Sequence, residues 1–193
     1  QAHGIGGITA NSVLMGWSST HQGRSMQMRL MRDLAAIRKS VLFLHYSTER
    51  GFGKRQRMDV WWQGRGGNAD LMLLLTYLIE RHPSWQKSEV RLLRVVQDEI
   101  AVKETREHMQ DLLDEVRVDA TPIIIVEPDT SVPFVQIIEA TSTETDLTIL
   151  GMGLPTKEEA EDYADRLNRL VTVAGSVLLV RNGQTQFDLL NTD

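Results

Sequence analysis

Short runs that are apolar at nearly every position alternate along this chain with longer runs that are apolar on one face. Val41-Leu42-Phe43-Leu44-His45-Tyr46, Val90 to Val96, Pro122-Ile123-Ile124-Ile125-Val126 and Ser176-Val177-Leu178-Leu179-Val180-Arg181 are of the first kind. They read as strands buried on both sides. Ser12 to Trp17, Met58 to Trp62 and Asp146 to Gly151 add three shorter strand signals. Between them lie helical patterns. Met28, Leu30, Met31, Leu34, Ala35 and Ile37 make one stripe. Asp70 to Glu80 is apolar nearly all round, which predicts a deeply buried helix. Asp98 is placed to cap a helix from Glu99 to Val116, whose Met109, Leu112, Leu113 and Val116 stand at i, i+3, i+4 and i+7. Val132 to Thr143 turns Phe134, Ile137 and Ile138 inward. Thr156-Lys157-Glu158-Glu159 is a capping box, and the helix that it opens has Ala160, Tyr163, Ala164 and Leu167 on one face. Crossover helices on both faces of buried strands predict an α/β fold: an open three-layer sandwich with a mainly parallel sheet. One domain over residues 1–193 accommodates all of it. Ser47 to Arg57 is the one linker-like stretch.

Totals narrow the function classes. With 193 residues, 41% of them hydrophobic and 24% charged, the chain is long and apolar enough to bury a sizeable core. The net charge of −5 and the scatter of Lys and Arg argue against a nucleic-acid partner. The absence of cysteine excludes disulfides, thiolate catalysis and cysteine-based metal sites. No apolar run reaches the length of a membrane-spanning helix. Gln1-Ala2-His3-Gly4 looks like a cut made inside a longer protein.

The motifs that suggest chemistry each lack a necessary part. Gly4-Ile5-Gly6-Gly7 precedes the first strand, whereas a dinucleotide loop must follow one. Gly16-Trp17-Ser18-Ser19-Thr20 begins like a nucleophile elbow but has Thr20 where the closing glycine belongs, and neither His82 nor His108 follows a strand. His3, His21, His45, His82 and His108 make no metal-ligand spacing. Gly151-Met152-Gly153-Leu154-Pro155 stands where open α/β sheets place ligands, so Gly151 and Gly153 are candidates for an anion or nucleotide. Pro155 supplies no amide, however, and Glu158 and Glu159 disfavour an anion in the first turn. No catalytic group, metal or cofactor is expected.

The stretch "RMDVWWQGRGGNAD" from Arg57 to Asp70 is different. On a strand, Trp61 and Trp62 point to opposite faces and form no common platform. One is expected under a helix and the other against a loop or a partner. Gly66 and Gly67 supply a tight turn, and Asp59 caps or pairs locally.

Asp59-Val60-Trp61-Trp62, the pair Gly66-Gly67 and the following "LMLLLTYLI" resemble the DVWW–GG–LLxPYLL signature of the cation–chloride cotransporter family. In order along the chain, "GIGGITANSVLMGW", "HPSWQKSEVRLLRV" with Trp85, "TDLTILGMGLP" and "SVLLVRNGQ" resemble further segments of that family. The resemblance implies the second half of a C-terminal cytosolic domain of a transporter moving chloride with potassium or sodium. It implies a non-enzymatic role in regulation and homodimer contact at the cytoplasmic face of the cell membrane. Its partners are then the transporter's own transmembrane domain, absent from this chain, and the first half of the cytosolic region. Asp59, Trp61, Trp62, Gly66, Gly67 and Trp85 form the structural or interface signature. Compact loops, Ser47 to Arg57 among them, imply a prokaryotic member without the long phosphorylatable insertions. The signature's proline is replaced at Thr76.

The family's cytosolic halves are similar in fold to universal stress proteins, some of which bind ATP. That leaves a nucleotide-binding module of universal-stress-protein type as the alternative. Its motif is incomplete here: Trp17-Ser18 stands in place of the acid after the first strand, Gly151 and Gly153 are one residue too close, and Gly175-Ser176 lies at the last strand. On the sequence, replacing the two tryptophans separately is expected to lower stability in one case and weaken association in the other.

Overall fold

A computed structural model describes residues 11–63 and 67–183. The strands are β1 (Ser12–Gly16), β2 (Ser40–His45), β3 (Arg57–Trp61), β4 (Glu89–Val96), β5 (Thr121–Val126), β6 (Leu147–Gly151) and β7 (Val177–Arg181). The helices are α1 (His21–Ala36), α2 (Ala69–Glu80), α3 (Ile100–Val116), α4 (Phe134–Ser142) and α5 (Ala160–Ala174). The strands form one sheet in the order β1-β2-β7-β6-β3-β4-β5. All neighbours are parallel except β2 and β7. The expected α/β class is found; strand boundaries differ by one residue, while α1 begins seven residues before the predicted stripe and α5 begins only at Ala160.

The apolar positions divide by face. Met28 and Met31 of α1, Ile137 and Ile138 of α4, and Ala164, Leu167 and Val171 of α5 pack with Phe43, Leu150 and Leu179 in one core. Met72 and Leu73 of α2 and Met109, Leu112 and Leu113 of α3 pack with Met58, Val60, Leu92 and Ile149 in the other. Alternate residues along each strand supply the two cores, as the pleat requires. The strands are therefore apolar throughout and each helix only on one side.

Three readings need correction. Helix α2 is not deeply buried: Ala69, Met72, Leu73 and Thr76 face the sheet, while Leu74 and Leu78 are 41% and 55% exposed. Its all-round apolarity reflects the outer surface of the layer as well as its core face. Leu30 of α1 and Ile37 just past its end likewise point outward, and Met28 and Met31 carry that contact. Nor is 47–56 a linker. The Asp146 carboxylate accepts hydrogen bonds from the amides of Lys54, Gln56 and Arg57 at 3.2, 2.6 and 3.0 Å. Phe52 meets Tyr46 and Trp85 edge-on, with ring centroids 5.2 and 5.9 Å away. Three amides held by one carboxylate fix this loop without secondary structure.

Both predicted caps are in place. Thr156 and Glu159 exchange side-chain and backbone hydrogen bonds before α5. Asp98 Oδ1 accepts from the Ala101 amide at the start of α3. At the far end of α1, the Lys39 amide donates to the Leu34 carbonyl and the Arg38 amide to the Ala35 carbonyl, a Schellman closure. This places Arg38 at φ 55°, a conformation that disfavours a side chain. Arg38→Gly should therefore raise stability by about 1 kcal/mol. A higher urea midpoint at unchanged slope would show it; an unchanged midpoint would mean that the arginine side chain compensates.

Candidate functional site

Asp59 sits mid-strand and is fully buried, which a carboxylate tolerates only with donors around it. The register places Arg91 of β4 directly beside it. Arg91 Nε donates to Oδ1 at 2.7 Å and a terminal guanidinium nitrogen to Oδ2 at 2.6 Å. Ser142 Oγ and Thr145 Oγ1 donate to the same Oδ2 at 2.6 and 2.7 Å. Trp61 Nε1 donates in turn to Ser142 Oγ at 3.0 Å, and Arg91 also reaches the Thr141 carbonyl at 3.0 Å. The hydrogen bonds to Asp59 push the Arg91 guanidinium above its ordinary value, against the opposing effect of burial. Every oxygen of the carboxylate is occupied by a group of this chain. The arrangement clamps β3, β4 and the end of α4 together and leaves no free acid or base.

The tryptophans behind Asp59 do take opposite faces. Trp61 lies in the core of α1, α4 and α5, with Phe134 at 5.2 Å and 89° to it. Trp62 lies in the core of α2 and α3, with the Arg94 guanidinium 4.8 Å above its ring centroid. Their exposures are 3% and 5%, so the expectation that one ring looks out toward a partner is corrected. A sheet covered on both sides leaves neither face of β3 open. Trp85 is also buried and holds the 47–56 loop through Phe52. Gly66 lies outside the described residues. Gly67 has no left-handed φ, and a Cβ there would meet open space, so the local backbone does not require a glycine.

The strand order places β3 beside β6, although β3 connects onward to β4 and β6 to β7. Their following helices, α2 and α5, consequently cover opposite faces, and a crevice opens between the two carboxyl ends. It is a cavity of about 320 Å³ walled by Trp61, Trp62, Asn68, Met72, Phe134 and Arg181, with Gly67, Gly151 and Gly153 at its lining. A smaller hollow of about 190 Å³ adjoins it at Trp62, Gln63, Arg94 and Phe134. The structure thus brings Gly151 and Gly153 to the same place as Trp61 and Trp62. Gly151 is needed for closeness: a Cβ there would stand 3.2 Å from Asn68 Nδ2 and 3.3 Å from Met72 Sδ. The loop amides, however, are engaged. Met152 donates to the Val180 carbonyl at 2.7 Å and Gly153 to the Tyr163 hydroxyl at 2.7 Å. Burial pushes the Tyr163 phenol up, against the effect of that amide. Asn68 is spent on both sides, giving to the Met152 carbonyl and accepting from the Asn182 amide, each at 2.8 Å.

The remaining motifs serve the fold. Thr20 Oγ1 accepts from the Gly23 amide and caps α1, while Ser18 bonds only within that turn and to Gln27. Ser176 Oγ donates to the Gly51 carbonyl and accepts from the Ser47 amide, so Gly175-Ser176 fastens the 47–56 loop. Among the described residues no group of three or more His, Asp or Glu could hold a metal ion. Residues 4–7 lie outside the described part. Sequence reasoning missed Arg91, Ser142 and Thr145, the partners of Asp59, and also Asn68, Arg94 and Arg181 in the crevice. An arginine opposite an acid in parallel register was a usable signal for Arg91. Ser142 and Thr145, more than eighty positions away, had none.

Removing either half of a buried ion pair strands the other. Asp59→Ala and Arg91→Ala should each cost about 3–5 kcal/mol in denaturant unfolding, and the double variant clearly less than the sum. Strict additivity would show that the two are not coupled. Trp61→Ala and Trp62→Ala should both destabilise, by about 3–5 kcal/mol each.

A family model, solute carrier family 12, matches residues 45–139, from the end of β2 into α4 and including the whole tryptophan stretch. The cytoplasmic domain of a prokaryotic cation chloride cotransporter has a similar structure, with a TM-score of 0.72 at 16% identity, covering 93% of this chain and 66% of that one. A universal stress protein from Archaeoglobus fulgidus DSM 4304 gives 0.56 at 11% identity, covering 90% of this chain and 62% of that one. This chain spans just under two thirds of the length of the structures that it matches. At such identities the two likenesses show the fold. Among the described residues no helix is long and apolar enough to cross a membrane. Residues 45–139 thus resemble solute carrier family 12, in a chain whose fold is similar to that of the cytoplasmic domain of a prokaryotic cation chloride cotransporter.

Proposed function

We propose that this chain is a non-enzymatic cytosolic domain of a membrane transporter that carries chloride with potassium or sodium, and that it serves regulation and pairing of subunits. The observation that carries the reading is where the family match falls. Residues 45–139 take in the Asp59–Arg91 pair, both tryptophans and α2, parts of this fold that generic α/β packing does not call for. The signature is then structural. It builds a stiff strand and a helix with an apolar outer stripe, with no reacting group.

Pairing with a second copy has a surface available in α2. Leu74 and Leu78 stand on its outer side, next to a groove of about 400 Å³ that Leu73, Leu74, Tyr77 and Val116 line together with the charged Asp70, Arg81, Glu115 and Arg117. In a larger assembly this stripe would be covered, as its composition suits.

Two measurements test the reading. The full-length protein, reconstituted in lipid vesicles, should take up rubidium or sodium only when chloride is present, and chloride only when the cation is. Cation uptake indifferent to replacement of chloride by gluconate would overturn the transport assignment. Sedimentation of the isolated chain should show dimers that Leu74→Glu with Leu78→Glu converts to monomers at unchanged thermal midpoint. Dimers that persist in this variant would remove α2 from the interface.

A further inference from the structure

We propose that the crevice between the carboxyl ends of β3 and β6 is a binding site for a small inorganic anion, held by Arg181 and Arg94 on either side of Trp62. The proposal stands on the crevice itself and does not require the transport reading.

Charge is the first observation. Arg181 and Arg94 are the charged groups among the described residues lining the crevice and its adjoining hollow, and no carboxylate lines either. Elsewhere the arginines near this core are paired, Arg91 with Asp59, Arg57 with Glu89 and Arg24 with Asp165. Arg181 and Arg94 make no ion pair or hydrogen bond with the described residues; Arg94 only stacks on Trp62. Each guanidinium lines one of two adjoining hollows that share Trp61, Trp62, Gln63 and Phe134, and together they raise the local potential for anions.

Unsatisfied donors are the second. Arg181 Nε and Trp62 Nε1 are both shut off from solvent and find no acceptor. Such groups are rare in native interiors, since each one left unpaired costs about 1–3 kcal/mol. An anion seated against these side chains would bring acceptors that the described residues do not offer them. The start of α2, a helix of 12 residues, opens at the same crevice and adds a modest favourable field. Asp70 in its first turn offsets part of that field, so the arginines carry the site.

What is already spent decides the size of the ligand. The Met152 and Gly153 amides and both ends of the Asn68 side chain are engaged within the chain. Among the described residues lining the crevice no carboxylate stands ready for ribose hydroxyls. Guanidinium donors and an indole N–H suit a compact anion, which a fork of N–H groups grips closely. They offer little to a sugar or a base.

Trp62 makes the site measurable. The purified chain would be titrated with sodium phosphate, sulfate and chloride against gluconate at constant ionic strength, by calorimetry and by tryptophan fluorescence. Saturable binding of at least one inorganic anion is expected, with a fluorescence change that Arg94→Gln reduces. Arg181→Gln should weaken binding by about tenfold or more, the loss of one charge-assisted contact. Arg181→Lys, which keeps the charge, should retain part of it at the same thermal midpoint. No saturable binding of any of the three, or unchanged binding in both glutamine variants, would overturn the proposal. ATP or AMP binding more tightly than phosphate, and lost in Arg181→Gln, would overturn the assignment to an inorganic anion.

Discussion

A carboxylate inside a parallel sheet has no water to solvate it, so the chain must bring donors from wherever its topology allows. Asp59 receives them from β4 and from the end of α4, elements far apart in sequence. Those bonds do more than neutralise a charge. Arg91 fixes the register of β3 against β4, and Ser142 and Thr145 fix the α4–β6 connection against the middle of β3. The Trp61 indole closes the circuit through Ser142. A slip of β3 by one residue would turn Asp59 into the core of α2 and α3, where Met109, Leu112 and Leu113 offer no donor. The clamp thus specifies one pairing out of the several that a strand of this kind could adopt.

Much of the architecture was legible because the two hydrophobic periods are clean. Val41 to Leu44 and Val177 to Val180 could be nothing but two-sided strands, and Met109 to Leu113 could be nothing but one face of a helix. The Thr156–Glu159 box was legible for a local reason: its four residues satisfy one another. Helix α2 misled because apolarity measures all the surfaces that a segment will cover, including those outside the domain. Leu74 and Leu78 look no different in sequence from Met72 and Leu73. The Trp61–Trp62 pair misled for the converse reason. Opposite faces were read correctly from the pleat, but which faces are covered depends on the crossovers, and here both are.

The site itself was half legible. Gly151 and Gly153 were placed correctly at a strand's carboxyl end by the order of their motif. What the amides there are doing depends on Tyr163 and Val180, which only the tertiary structure brings into reach. Arg94 and Arg181 carry no motif at all. They are single cations at the ends of two strands that run separated in sequence by more than eighty residues. What they share is that, among the described residues, no acid pairs with either, a property of the assembled surface.

The clamp and the crevice are mechanically one object. β3 contributes Asp59 to the first and, two and three residues on, Trp61 and Trp62 to the second. Trp61 is held from below by Ser142 and from the side by Phe134, so the wall on the α4 side is rigid. The Trp62 indole N–H has no partner among the described residues, and its ring is touched by the cation of Arg94, so the wall on the α2 side is the less tightly held one. Asn68, which joins the start of α2 to the loops after β6 and β7, sits against that wall. A group that draws Arg94 inward would act first on Trp62, whose ring the guanidinium covers. Helix α2 is also the element whose outer residues Leu74 and Leu78 are exposed, so the crevice at its start and the apolar stripe along it belong to one helix.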